Sequence, residues 1–274
     1  KSLLEKLPLN FDLERVQSQW PVLYEDSMNT VLHQELIRFN RLLSVVRDSL
    51  QNILKALKGF VLMSAELEAL SNDMFDGRLP SMWAKKSYPS LKPLTGYFKD
   101  LLERLAMLQH WINNGAPKVS WLSGFYFTHA FLTGALQNFA RKHHIPIDNV
   151  TFDFEMLEPR PLEDYQKPED GVYTHGLFLE GCRWDSHDHK LAESEPKVLY
   201  VPAPNMWLKP TPLEELVIVP NYNCPVYKTG DRRGTLSTTG HSTNFVLDIR
   251  MPTDQPSNHW TNRGVAMLSQ LADG

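Results

Sequence analysis

An α+β fold, helical over residues 1–148 and stranded over 149–274, is predicted by three features of the chain. Apolar residues in the first half recur at helical spacing, three and four apart. Apolar residues of the second half alternate with polar ones, as at Phe152, Phe154 and Met156. Proline separates the halves: of 19 prolines, six precede Ile145 and 13 follow it. Helix interiors tolerate proline poorly, whereas loops and strand edges accept it.

The first predicted element is a long helix over about 28–58. Leu32, Leu36, Phe39, Leu43, Val46, Leu50, Ile53 and Leu57 follow one another at alternating intervals of 4 and 3. That is a heptad seam, a narrow stripe of the kind that lies along another helix or a groove. Ser27 is placed to cap its start, and Gly59 lets it bend or end. At 1.5 Å per residue the helix would be roughly 45 Å long. A stripe of this length does not hold a helix alone in water, so it requires a partner. Leu94, Phe98, Leu101, Leu105, Leu108 and Ile112 repeat the alternation and stop at Asn114-Gly115 before Pro117. A third helix is predicted over 127–144. Arg141, Lys142, His143 and His144 at its end suit the negative pole of the helix dipole. Adjacent histidines on a helix do not converge, so they read as capping groups, not metal ligands. The aromatic run Trp121-Leu-Ser-Gly-Phe-Tyr-Phe127 carries no interleaved basic residues and reads as core.

Strands are predicted over 151–156, 172–179, 205–209, 222–229, 244–251 and 260–271. Six antiparallel candidates joined by turns suit a small six-stranded β-barrel or a sandwich. Pro225 would put its strand at an edge or a bulge.

Chemistry-bearing motifs are few. Gly240-His-Ser-Thr-Asn244 resembles a nucleophile elbow, but it leads into a strand where an elbow leads into a helix. His241 and Ser242 are neighbours in sequence and point opposite ways on an extended backbone, which spoils base-to-nucleophile geometry. A hydrolytic or small-ligand barrel built on Ser242 and His241 is the alternative reading. Gly230-Asp-Arg-Arg-Gly234 lacks the lysine and the helix of a phosphate loop. Asp185-Ser-His-Asp-His189 has residue types that suit zinc, with His187 and His189 as ligands, yet no third or fourth ligand lies nearby. A net charge of −4 without a basic stripe argues against nucleic acid. No apolar run reaches membrane-spanning length, and no signal-peptide pattern opens the sequence. Two cysteines, Cys182 and Cys224, are expected as reduced thiols in a cytosolic compartment. The sequence begins at Lys1 and is expected to be a piece of something longer.

A set of motifs in fixed order carries a resemblance. Ser27-Met-Asn-Thr-Val-Leu-His-Gln-Glu35, Arg38-Phe-Asn40 and Ser87-Tyr-Pro-Ser-Leu-Lys-Pro93 open it. Leu122-Ser-Gly124, Phe131-Leu-Thr-Gly134, Ala140-Arg-Lys142 and Pro146-Ile-Asp148 continue it. His175-Gly-Leu-Phe-Leu-Glu-Gly181, Trp184-Asp185, Pro225-Val-Tyr-Lys-Thr229, Gly234-Thr-Leu-Ser-Thr-Thr-Gly-His-Ser-Thr-Asn244 and Arg263-Gly-Val265 complete it. From about Pro21 to its end the sequence resembles the C-terminal domain of dynein heavy chains. The hydroxyl-rich motif is similar to that of axonemal members, the single-headed inner-arm type above all. Thr128-His129 departs from the family's Pro-Gln, and Cys182 from its Ala.

The resemblance implies a fold of helices followed by a small barrel, with residues 1–20 as the connection from a preceding ring module. It implies a non-catalytic module lying on a ring of AAA modules, and no cofactor in this polypeptide. ATP and magnesium belong to the ring, and microtubules are reached only through the whole motor, in the axoneme of a cilium or flagellum. The seam residues Leu36, Phe39, Leu43, Val46, Leu50 and Ile53 would be the ring-docking face. A surface for axonemal dynein subunits is a further possibility, with no nucleic acid and no membrane as partner.

Overall fold

The structure, a computed structural model, describes residues 2–232 and 243–272. Its organising element is α3 (Ser27–Leu57), 31 residues long, preceded by α1 (Ser2–Lys6) and α2 (Leu13–Gln19). After it come α4 (Ala65–Phe75), α5 (Ser81–Ala84), α6 (Leu94–Asn114) and, beyond a short strand, α7 (Thr128–Lys142). Each of these six other helices packs on α3. Residues 1–20, expected as a connection, thus contain two short helices held against the long one.

The ends of α3 follow from local chemistry. Asp26, not Ser27, is its N-cap: the Asp26 carboxylate accepts from the Met28 N–H at 2.9 Å. Ser27 instead donates to Gln137 and accepts from Arg141, tying the start of α3 to the last turns of α7. At the other end Gly59 adopts φ 76°, and the Phe60 N–H reaches back to the Lys55 carbonyl at 2.9 Å. This left-handed closure stops the helix and turns the backbone. Asn114-Gly115 ends α6 as the sequence predicts, with Gly115 at φ 86°.

The strands are β1 (Val119–Trp121), β2 (Val150–Met156), β3 (Val172–His175), β4 (Phe178–Glu180), β5 (Cys182–Asp185) and β6 (Lys190–Glu193). They continue as β7 (Tyr200–Pro202), β8 (Met206–Pro212), β9 (Asn221–Tyr227), β10 (Phe245–Pro252) and, after the helix α8 (Ser257–Asn262), β11 (Ala266–Leu268). They make a four-stranded sheet, β1-β3-β8-β2, a five-stranded sheet, β10-β9-β11-β4-β7, and the hairpin β5-β6. The expected single six-stranded antiparallel barrel is therefore corrected. β1 comes from the helical half and pairs parallel with β3, and β11 pairs parallel with β9.

Two residue-level causes account for the difference. The predicted strand 172–179 breaks at Gly176, whose φ is 94°. A Cβ there would stand 2.4 Å from the Trp121 ring, so only glycine fits between the two sheets. The predicted strand 260–271 starts inside α8, with Trp260 buried and Gly264 ending the turn at φ 67°. Pro225 sits where β9 has β10 as neighbour, because β11 reaches no further than Val226 and Tyr227. Its missing N–H leaves that shorter pairing intact. One cluster of buried hydrophobic side chains runs from Leu7 to Met267 through both halves.

Candidate docking site

Leu36, Phe39, Leu43, Val46, Leu50 and Ile53 lie on one face of α3, and none is more than 6% exposed. The residues that cover this face belong to the same polypeptide, from α1, α2 and α4 to α7. The six therefore form the spine of the core. Leu57, the eighth seam position, is 66% exposed.

Polar groups lock the same spine. Glu35 is fully buried, and its two carboxylate oxygens accept the N–H groups of Tyr126 and Phe127 at 2.6 and 2.9 Å. Phe127 is the N-cap of α7, whose N–H has no partner within the helix, and Tyr126 directly precedes it. Burial holds the Glu35 carboxyl above its ordinary pKa, against the opposing pull of the two hydrogen bonds and of Arg38 and Arg104. A second network joins α6 to the 87–93 segment that leads into it. Arg104 pairs with Asp100 at 2.8 Å, donates to the Phe125 carbonyl and stacks its guanidinium 3.6 Å from the Tyr88 ring centre. Tyr88 donates to Asp100, and Tyr97 to Ser87. Trp83 of α5 donates to Ser49 of α3 at 2.8 Å. The Asp100–Arg104 pair follows the local i,i+4 spacing of a helix, but no local pattern signals the Glu35 contacts, since Glu35 and Phe127 are 92 positions apart.

The motifs with catalytic or ligating looks fall in three places. His241 and Ser242, with the rest of 233–242, lie outside the described residues. At the base of that segment the Asn244 side chain donates to the Thr229 carbonyl at 3.1 Å, and Arg232 pairs with Glu180. His187 and His189 occupy the turn of the β5-β6 hairpin. His187 contacts Asp188 at 2.8 Å, and Asp185 accepts the N–H groups of His187 and Asp188. Among the described residues no three His, Cys, Asp or Glu side chains are grouped to hold a metal. Nor is any described helix long and apolar enough to cross a membrane. His143 packs at a tilt against Phe139 and meets Asp170 at 3.1 Å, so it serves as a tie to the loop before β3. Cys182 and Cys224 are buried and free of disulfide; burial pushes the Cys182 thiol up to about 12.

Open apolar surface begins where the seam ends. Phe60, Leu62 and Phe75 are 75%, 94% and 92% exposed, with Val61 and Met63 beside them in the α3–α4 connection. The last turns of α3 and of α4, the helices that flank this connection, help to line a cavity of about 310 Å³, with Leu3, Leu4, Leu50, Ile53, Leu57 and Met74 in its wall. The run Phe60-Val-Leu-Met63 is visible in the sequence as four consecutive apolar residues beyond a helix stop. Such runs on a surface mark contact sites. Val217, Ile218 and Val219 form a second exposed apolar stretch before β9.

The comparisons with known proteins bear on what such a surface serves. The family model for the C-terminal domain of the dynein heavy chain matches residues 1–269. Human dynein axonemal heavy chain 3 is 59% identical over 271 residues, which cover 99% of this polypeptide and 7% of that protein. Human dynein axonemal heavy chain 12 is 54% identical over 273 residues, covering 100% and 9%. For human dynein axonemal heavy chain 1 the figures are 52% over 271 residues, 99% and 6%. The sequence thus spans less than a tenth of the length of these relatives. Matched from its first residue to residue 269, it belongs to the family of C-terminal domains of dynein heavy chains.

Proposed function

We propose that this polypeptide is the non-catalytic C-terminal structural and regulatory domain of an axonemal dynein heavy chain. In this reading it packs on the AAA ring of the same heavy chain and modulates ATP-driven movement along microtubules in cilia or flagella. The observation that carries it is the identity of 59%, sustained over 271 residues, with a human dynein axonemal heavy chain. The architecture supports it: a single rod, α3, gathers six helices, and the sheets are joined to it through β1 and the buried core. A body so tied moves as one piece, and a rigid body can bias a ring that alternates between two arrangements by touching them unequally. Leu36, Phe39, Leu43, Val46, Leu50 and Ile53 act here by keeping the rod in place, while docking falls to exposed residues. Nucleotide and magnesium are held by the ring. Axonemal dynein subunits are the other partners this reading allows.

The test compares heavy chains with and without this segment in microtubule gliding and ATPase assays. A changed velocity or a changed coupling of ATPase to microtubules is expected. Identical values for both would end the regulatory reading.

A further inference from the structure

The cavity between α1, the last turns of α3, and α4 has the make-up of a socket. Its wall is apolar side chains with one hydroxyl, Ser71, and its volume of about 310 Å³ exceeds that of a single large side chain. Leu57 stands both in its lining and in the open, and Phe60, Leu62 and Phe75, which follow Leu57 and the lining residue Met74 closely in the chain, are 75%, 94% and 92% exposed. A soluble surface rarely keeps an apolar hollow and an apolar rim together without a partner. At protein interfaces that pairing is the usual form of an energetic centre: a pocket that takes one anchor side chain, ringed by residues that exclude water.

One wall of the hollow identifies the occupant. Leu3 and Leu4 come from α1, the first helix of the matched segment. The family it matches is that of a C-terminal domain, and the matched segment is 6 to 9% of the relatives' length. The stretch of heavy chain that runs into α1 therefore passes beside the hollow, at the high effective concentration of a tethered partner. We infer that the socket receives an apolar anchor side chain from the part of the same heavy chain that directly precedes α1, and that this contact fixes the domain's docking angle. The inference rests on the ring-packing reading and narrows it to one surface.

Hydroxyl-radical labelling of the full-length heavy chain, read by mass spectrometry and normalised to the intrinsic reactivity of each side chain, tests it. Leu57, Phe60, Leu62 and Phe75 are expected to label several-fold more slowly than their exposure in this structure dictates. Ser71→Phe, which fills the hollow from α4, is expected to bring their labelling back up without altering that of Trp83 in the core. Full labelling of the four in the wild-type protein overturns the inference. Should Val217, Ile218 and Val219 be protected in their place, ring packing stands and the socket falls. If no exposed apolar residue is protected, both readings fall. Protection that disappears on dilution assigns the surface to a second copy and also overturns the inference.

Discussion

From Leu32 to Ile53 the apolar face of α3 is closed by helices of the same polypeptide, whereas four residues on, at Leu57, that face opens to solvent. Nothing in the heptad pattern changes between the two, since the interval from Ile53 to Leu57 is another 4. What changes is the supply of covering side chains. The first part of the rod is covered by α7 and by the α5–α6 region through Trp83 and Tyr88; the last turn has α1 and α4 on either side and a hollow between them. Periodicity therefore states which face must be covered but not by whom, and a seam can be closed for most of its length and open at its end.

Breaking the closed part should have the largest effect. Leu43→Asp combined with Leu50→Asp puts two carboxylates into the spine, and each alone is expected to cost more than the roughly 2–5 kcal/mol of a Leu→Ala change. Loss of the cooperative transition in thermal unfolding is the expected outcome; an unchanged melting temperature would mean that the seam is not the core. Arg104→Ala leaves Asp100 buried without its cation and is expected to destabilise by about 3–5 kcal/mol in urea titrations. A cost below about 1 kcal/mol would show that Asp100 is satisfied by Tyr88 alone.

Glu35→Ala strands the N–H groups of Tyr126 and Phe127 and should cost about 2–4 kcal/mol by the same measurement. Glu35 also carries a pH signature. Because burial raises its folded pKa above the ordinary 4.5, the folded protein holds this proton more tightly than the unfolded one. The stability it contributes is complete below pH 4.5 and is lost as pH rises through the folded value. Relative to Glu35→Gln, which does not titrate, the wild type should lose stability across that window. Parallel pH profiles for the two would refute the role of the buried carboxylate. Leu57→Asp should have the smallest effect, within about 0.5 kcal/mol, as befits an exposed position. A larger loss would mean that the end of the rod is closed after all.

The rod, its glycine stops at Gly59 and Gly115, and the end of α7 near His143 are legible from local spacing, because each depends on residues within one or two turns. The cap of α3 differs from expectation by one residue: Asp26 and Ser27 are both competent caps, and only the Gln137 and Arg141 partners decide between them. Short helices such as α4 and α5 have weak periodicity and owe their place to packing on α3. The strands are legible as alternation but not as sheets. Which strands pair depends on long-range events such as the approach of Trp121 to Gly176, and neither residue hints at the other in the sequence. The ligand-like histidines are legible as types, whereas their positions at a hairpin turn and beside Asp170 need three dimensions.

The parallel pairing of β1 with β3 has a practical corollary for anyone dissecting this polypeptide. A truncation after residue 148 would orphan Val119, Ser120 and Trp121 from their strand partners Tyr173, Thr174 and His175. Neither product would be a clean module: one would present a raw strand edge, and the other would carry a sheet shorn of its outermost member. Expression boundaries are better set outside the matched segment than at the change in composition that the prolines mark.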